Sequence, residues 1–94
     1  MARWQLGENY KRRAKKSLTI QDQLRAARYL ERLGKHPPPG NLGLKPLEGT
    51  KGKLWECWAG GQNRFILRRE SDDQGHYFIV EDVGPHDICR KYSP

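Results

Sequence analysis

Three consecutive prolines at positions 37–39 divide this chain into two stretches with different patterns of apolar residues. A proline has no backbone N–H and its ring clashes with the preceding helical turn, so no helix continues through three of them. Before the prolines, the longest stretch repeats its apolar residues at helical spacing. After them come three short runs rich in aromatic and branched residues, separated by glycine-containing turns. This order predicts an α+β fold with helices on one face of a mostly antiparallel sheet.

The clearest predicted element is an amphipathic helix at Ile20–Leu33. Thr19 stands three residues before Asp22, which approximates a capping box at the helix start. Gly34 is suited to the left-handed conformation that often ends a helix. The apolar side chains that share one stripe, and that we expect to cover the sheet, are Ile20, Leu24, Ala27, Leu30 and Leu33.

Shorter patterns predict the remaining elements. A first strand is expected at 4–6 and a short cationic helix within 8–17, while the segment 37–53 is expected to be a loop because it is rich in proline and glycine. Three strands joined by tight turns, a meander, are expected at 54–58, 64–69 and 76–83. The whole chain, residues 1–94, is predicted to be a single domain whose second sheet face stays open for function.

The charge and the cysteines restrict the partners and the compartment. The net charge of +7 over 94 residues attracts polyanions such as RNA or DNA, or a strongly acidic protein. The first residues lack the apolar core of a secretory leader, and no apolar run approaches the length of a membrane span. We therefore expect a cytoplasmic protein, without membrane association, in which Cys57 and Cys89 are free thiols.

Four segments taken together resemble the RelE/ParE superfamily of bacterial toxin–antitoxin toxins: LKPLEG, KLWECW, NRFILRR and YFIVEDVGPHDICRKY. An arginine, Arg64, opens the middle strand of the meander, and the motif V-G-x-H is followed six residues later by Tyr92. The resemblance implies the α+β fold predicted above. It also implies one of two activities, since RelE-like members cut mRNA in the ribosomal A site without metal or cofactor and ParE-like members inhibit DNA gyrase. Both kinds are neutralised by an antitoxin that wraps the toxin.

The resemblance implies roles for individual residues. Arg64 matches a strand arginine that contacts phosphate, His86 matches a catalytic position, and Tyr92 matches a near-terminal tyrosine. The sequence departs from RelE where that protein has paired lysines, because Glu56 and Trp58 stand there instead. Either Glu56 then takes an acid/base role, or the missing cations come from the preceding loop, which contains Lys45, Lys51 and Lys53.

Metal-free RNA cleavage requires a base for the 2′-hydroxyl proton, an acid for the leaving 5′-oxygen, and cations for the phosphorane charge. An imidazole can do either proton transfer, and a guanidinium grips phosphate in a bidentate manner. His86 and Arg64 supply these groups, with Arg90 as a further cation, and we expect the C-terminal tail to line the open face without covering it. The cations Lys11, Arg12 and Arg13 would grip ribosomal RNA, or they form an ordinary solvated helix face.

Each residue also has a structural alternative. Glu56 could be the cross-strand partner of Arg64 or Arg68, His86 a surface histidine, and Tyr92 a plug of the core. The tripeptide GGQ at 60–62 occurs in peptide-release factors, but two glycines before a polar residue are typical of a hairpin turn. No zinc site is expected, because His86 and Cys89 lack a second closely spaced pair of ligands.

We therefore predict a monomeric toxin of a type II toxin–antitoxin system that cleaves mRNA on the ribosome without cofactor or metal. Its expected partners are mRNA, ribosomal RNA, and an antitoxin that is acidic or carries a wrapping helix. Two alternatives are a ParE-like gyrase inhibitor that acts by binding alone and an inactive relative that only binds nucleic acid.

Overall fold

A computed structural model describes residues 3–35 and 42–93 of the chain, so the three prolines lie outside the described residues. Within these ranges the chain forms one sheet of five strands and three helices. The strands are β1 (Arg3–Leu6), β2 (Lys45–Pro46), β3 (Leu54–Gly60), β4 (Asn63–Asp72) and β5 (Gly75–Pro85). The helices are α1 (Tyr10–Ser17), α2 (Ile20–Leu33) and α3 (Ile88–Tyr92).

The strand order in the sheet is β1-β5-β4-β3-β2. β1 pairs with β5 in parallel, and the other neighbours are antiparallel. This arrangement confirms the predicted α+β fold and its three-stranded meander. No helix in the part of the chain that the structure describes is long and apolar enough to cross a membrane.

The helix α2 begins and ends where the sequence predicts. The backbone N–H of Asp22 donates a 3.1 Å hydrogen bond to Oγ1 of Thr19, so the threonine caps an otherwise unpaired N–H of the first turn. At the other end, Gly34 has a φ of −75° and continues the right-handed conformation. The predicted left-handed cap at this glycine is therefore wrong.

The face of α2 that packs on the sheet differs from the predicted stripe. Ala26, Leu30 and Leu33 are buried, whereas Ile20 is 77% exposed and Leu24 61% exposed, and Ala27 is exposed as well. The prediction that all five stripe residues cover the sheet is correct only for Leu30 and Leu33. The cause is a rotation of the helix about its axis that brings the small side chain of Ala26 against the sheet.

A β-bulge in β5 determines which residues enter the core. Ile66 of β4 pairs with Asp82 and the next residue, Leu67, pairs with Val80, so that Glu81 is an extra residue on β5. Val80 and Val83 consequently both join the core under the helices, although strict alternation would direct them to opposite faces. Asp82 is left on the face opposite α1 and α2.

Three connections complete the fold. Gly60 and Gly61 have φ values of 101° and 57° in the β3–β4 turn, so the prediction of a hairpin turn at 60–62 is confirmed. The predicted loop contains β2, where Lys45 pairs with Glu56. The tail after β5, for which no helix was predicted, forms α3.

Candidate functional site

Four side-chain positions form a row across the sheet on the face opposite α1 and α2. Lys45 of β2 pairs with Glu56 of β3, Glu56 pairs with Ile66 of β4, and Ile66 pairs with Asp82 of β5. We call these four residues the charged row. Glu56 is 6% exposed and Asp82 3% exposed, so this row buries two carboxylates. A buried carboxylate needs a partner, because its desolvation is otherwise very costly.

The partner of Glu56 is Arg64. Nη1 of Arg64 donates to Oε1 of Glu56 in a buried ion pair, and the guanidinium carbon lies 4.2 Å from the centre of the Trp58 ring. The Nε of Arg64 is buried and forms no hydrogen bond with any residue that the structure describes. The alternative that Glu56 is the cross-strand partner of Arg64 is confirmed. The guanidinium is therefore held beneath the surface with its charge balanced by a carboxylate.

The partner of Asp82 is Tyr92. The Tyr92 hydroxyl donates a 2.6 Å hydrogen bond to Oδ2 of Asp82, and the backbone N–H of Val83 donates a 2.9 Å hydrogen bond to Oδ1. Burial of the ring and the bond to Asp82 raise the pKa of Tyr92 to about 12. The phenol thus stays protonated at neutral pH and can act as a hydrogen-bond donor but not as a general base.

Helix α3 lies across the charged row. Cys89 and Tyr92 are three residues apart and so share one side of the helix. Tyr92 contacts Asp82, and the Cys89 thiol lies beside Glu56. Burial, followed by the charge of the Glu56 carboxylate, raises the pKa of this thiol to about 11, so it stays protonated at neutral pH. The expectation that the C-terminal tail leaves the face open is therefore wrong, since α3 covers part of it.

A groove of about 810 Å³ runs between α1 and α3 at the edge of the sheet. β1 pairs with β5 only from Tyr77 to Val80, and beyond that point α1 reaches the strand edge, where Nη1 of Arg13 donates a 2.9 Å hydrogen bond to the Glu81 carbonyl. The cationic residues that line the groove are Arg12, Arg13, Lys16 and Lys91. Its two acidic lining residues are Asp82 and Asp87.

His86 is adjacent in sequence to two residues of this groove. It follows β5 directly, and its two neighbours, Pro85 and Asp87, both line the groove. Its backbone carbonyl accepts a 3.2 Å hydrogen bond from the N–H of Cys89, which fixes the turn into α3. The side chain is exposed and forms no ion pair or hydrogen bond within residues 3–35 and 42–93. An unpaired imidazole beside a cationic groove is accessible to a phosphodiester.

The structure brings only some of the predicted cations to this region. Arg12 and Arg13 line the groove, and Lys45 belongs to the charged row. Arg90 is exposed on α3, and Lys11 is exposed on the side of α1 that borders α2. Lys51 and Lys53 lie at the other end of the sheet. The backbone carbonyl of Lys53 accepts a hydrogen bond from the N–H of Arg69 in β4. Arg69 is about 20 Å along β4 from Asn63, which lies at the end of the strand nearer the groove.

Four residues of the site were not predicted from the sequence: Lys16, Asp82, Cys89 and Lys91. Lys16 had a visible signal, because it belongs to the cationic run KRRAKK. Asp82 had none, since its burial depends on the bulge in β5. Among the described residues, no group of three or more His, Cys, Asp and Glu side chains could hold a metal ion.

Comparison with known proteins defines the class of fold. Neither a protein-family model nor a curated protein sequence matches the chain. Solved structures do match over nearly its whole length, and they show that the chain has the fold of the RelE/ParE toxin superfamily.

Three of these structures illustrate the likeness. YafQ from Escherichia coli superposes with a TM-score of 0.62 at 14% identity, covering 94% of this chain and 97% of YafQ. A YoeB/ParE toxin from Agrobacterium tumefaciens gives 0.58 at 18% identity, over 89% of this chain and 98% of that one. The toxin–antitoxin complex RelBE2 from Mycobacterium tuberculosis gives 0.58 at 17% identity, over 90% and 98%.

Proposed function

We propose that this chain is the toxin of a type II toxin–antitoxin pair and that it cleaves mRNA on the ribosome in the cytoplasm. The observation that carries the proposal is the groove between α1 and α3, which is lined by four cationic side chains and by Pro85 and Asp87, the two residues on either side of the exposed His86. Cations that line one groove would neutralise phosphates of a bound RNA strand. The imidazole beside the groove would then meet one phosphodiester of that strand.

In the proposed reaction, a base removes the 2′-hydroxyl proton, and the 2′-oxygen attacks the adjacent phosphorus. The bond to the 5′-oxygen breaks, and this leaving oxygen takes up a proton. An imidazole can either accept or donate a proton, so His86 is suited to one of these two proton transfers. The Tyr92 hydroxyl has one proton, which it donates to Asp82, so it can donate to the phosphate only after that hydrogen bond is given up. Lys45 and Arg90 would add positive charge around the same phosphate.

Arg64 and Glu56 have a conditional role in this proposal. Arg64 can stabilise the phosphorane only after an RNA phosphate replaces Glu56 as its partner, because the guanidinium is bound to that carboxylate. Such an exchange preserves the pairing of a buried charge, which makes it less costly than exposing the arginine alone. The released carboxylate of Glu56 would then serve as the second proton-transfer group, complementary to His86.

The partner in this proposal is an antitoxin. One of the structural neighbours is a toxin–antitoxin complex, RelBE2. The net charge of +7 favours an acidic partner for the present chain. A partner protein would also keep the toxin inactive during growth.

The decisive experiment is single-turnover cleavage of mRNA on programmed ribosomes, with the new 5′ ends mapped. His86→Ala should cut about 10²–10⁴-fold more slowly than the parent chain, which is the usual contribution of a general acid or base. His76→Ala is the matched control, because His76 is also exposed but lies at the other end of β5. Ribosome affinity should persist in His86→Ala and fall in Arg12→Glu and Lys16→Glu. Parental cleavage by His86→Ala would refute the proposed role of the histidine.

Inhibition of DNA gyrase by binding alone is the second candidate. It is favoured by the pairing of Arg64 with Glu56 and of Tyr92 with Asp82, which leaves His86 as the one unpaired member of the predicted catalytic set in the described residues. Pulse labelling after induction distinguishes the candidates. An RNA-cleaving toxin stops methionine incorporation while thymidine incorporation continues, and a gyrase inhibitor stops thymidine incorporation first.

A further inference from the structure

A small pocket opens at the end of the sheet that is remote from His86. Its volume is about 260 Å³, and its lining comes from β1, β3, β4 and β5 and from Leu44, which precedes β2. Three aromatic residues take part, and we call it the aromatic pocket after them: Trp55, Tyr77 and Phe78. None of its lining residues belongs to the groove between α1 and α3, so the proposed RNA cleavage does not account for it.

Two of these aromatic rings are held in fixed orientations. Trp55 and Phe78 pack edge to face, with ring centres 5.7 Å apart and planes inclined by 61°. Both rings are only partly buried against the core. The indole N–H of Trp55 donates a 2.9 Å hydrogen bond to the carbonyl of Gly52, which fixes the tilt of the ring. The rings therefore offer a rigid apolar surface to a planar ligand, at little cost in side-chain entropy.

The charge of the aromatic pocket is positive. Three of its seven lining residues are arginine or histidine, and none is acidic. The exposed Arg69 forms no ion pair or side-chain hydrogen bond with any described residue, and its guanidinium carbon lies 5.9 Å from the centre of the Trp55 ring. Arg3, in contrast, donates two hydrogen bonds to the carboxylate of Asp72. Arg69 is therefore the arginine of this pocket that is available to an anion.

These features together specify the chemistry of a ligand. It needs a planar ring to pack on Trp55 and Phe78, and an anionic group within reach of Arg69. A nucleotide has both, because any nucleobase can stack on an aromatic side chain and a guanidinium binds phosphate in a bidentate manner. The volume lies just below the roughly 300–1,000 Å³ of sites for drug-sized ligands, which limits the ligand to a single nucleotide.

We propose that the aromatic pocket binds a free nucleoside monophosphate, with the base on Trp55 and Phe78 and the phosphate on Arg69. An RNA strand is a poorer occupant, because a strand binds to a row of cations and this pocket offers one unpaired arginine. The proposal goes beyond RNA cleavage and does not depend on it. A bound nucleotide would link β3, β4 and β5 at this end of the sheet and would stabilise the folded chain by mass action.

The test uses adenosine monophosphate as the probe and reads the site of binding directly. Titration into the isotope-labelled full chain should shift the indole N–H signal of Trp55 and the amide signals of residues 68–70 and 76–79. The amides of α1 and α3, which border the other groove, should not shift. Adenosine and inorganic phosphate should each bind at least about tenfold more weakly, since each lacks one of the two proposed sets of contacts.

Matched variants separate the two sets of contacts. Arg69→Gln should weaken binding of adenosine monophosphate by about tenfold and leave the weak binding of adenosine unchanged. Phe78→Leu keeps an apolar side chain against the core but removes the ring, so it should weaken binding of both ligands by about fivefold. Arg28→Gln is the control, because Arg28 is also exposed and without an ion pair to any described residue, but lies on α2. Thermal unfolding of each variant verifies that it is folded.

Three results would overturn the proposal. Shifts at α1 and α3 without a shift at Trp55 would place the nucleotide in the other groove. Affinity for adenosine monophosphate that is unchanged in both folded variants, Arg69→Gln and Phe78→Leu, would exclude the proposed contacts. Binding of a short oligoribonucleotide at Trp55, in the absence of binding of the mononucleotide, would assign the pocket to an RNA strand. None of these measurements involves ribosomes or cleavage, so a chain that fails to cut mRNA but binds the nucleotide would refute only the nuclease.

Discussion

The two faces of the sheet bury side chains of opposite character. Under α1 and α2 the sheet contributes Phe65, Leu67 and Val80, which are fully buried and apolar. On the other face lie Glu56 and Arg64, which with Asp82 make up the buried charged residues of the described chain. Apolar packing alone can stabilise a small domain, whereas the burial of charged side chains costs desolvation energy. The buried charges therefore indicate a requirement other than stability. The difference identifies the face under α3 as the candidate functional site.

The largest loss of stability should come from breaking the buried ion pair. Arg64→Met leaves the Glu56 carboxylate buried without its partner, and removal of one member of such a pair costs about 3–5 kcal/mol. The double variant Glu56→Gln with Arg64→Met should be much less destabilised, since no buried charge remains. Urea unfolding at neutral pH measures both. If the single and double variants lose equal stability, the charged face depends on packing and not on pairing.

On the helix-covered face, the loss should depend on which side of α2 is truncated. Leu33→Ala should cost about 2–5 kcal/mol because Leu33 is fully buried in the core. Leu24→Ala should change the free energy of unfolding by less than about 0.5 kcal/mol, since the side chain is mostly exposed. Thermal and urea unfolding of the two variants give the comparison. Equal losses would mean that the rotation of α2 described above is incorrect.

Each face of the sheet has one cysteine, so the pH dependence of the free energy of unfolding allows the two faces to be compared. Burial raises the pKa of the Cys57 thiol, on the helix-covered face, from 9.0 to about 12. Between these values the unfolded chain ionises this thiol and the folded chain does not. The contribution of Cys57 is therefore fully present below pH 9, and stability falls by about 1.4 kcal/mol per pH unit above it.

Cys57→Ala should remove this alkaline slope from the free energy of unfolding. Cys89→Ala should remove a smaller total loss of stability, because the pKa of the Cys89 thiol, on the opposite and more accessible face, is raised only to about 11 and its contribution to the slope ends there. Urea unfolding of the parent and both variants at intervals between pH 8 and pH 12 measures the free energy of unfolding across both ranges. A larger total change for Cys89→Ala would show that the thiol on the charged face is the more strongly desolvated of the two.

Local sequence signals predicted all of the elements except β2 and α3, and tertiary packing decided their orientation. The Thr19 cap and the following apolar period located α2 to the residue. The apolar arc of that helix, however, is wider than its buried face, so periodicity alone could not show that Ala26 and not Leu24 would meet the sheet. The helix α3 was missed because it has only five residues and follows Pro85.

The candidate site was less predictable than the fold, for a related reason. The pairing of Glu56 with a strand arginine followed from the expected meander. The burial of Asp82 did not, because the bulge at Glu81 shifts the alternation of β5 by one residue. A prediction that assumes strict alternation along β5 places Asp82 and Val83 on the wrong faces of the sheet. It therefore also misses the hydrogen bond between Tyr92 and Asp82.

The most local effect on stability should come from that hydrogen bond. Tyr92→Phe removes the hydroxyl that donates to Asp82 but leaves the carboxylate with the N–H of Val83 and with Lys91, whose Nζ lies 4.0 Å away. Because Tyr92 is partly exposed, we expect a loss of only about 1 kcal/mol.

The loss should be local, since the bond joins α3 to the charged row. Amide exchange of α3 should accelerate while that of α2 stays unchanged. Tyr77→Phe is the control, because the Tyr77 hydroxyl forms no hydrogen bond within the described residues. If α3 exchanges at the parental rate in Tyr92→Phe, the hydrogen bond does not hold the helix over the charged row, and the packing of Ile88 on Gly84 must do so instead.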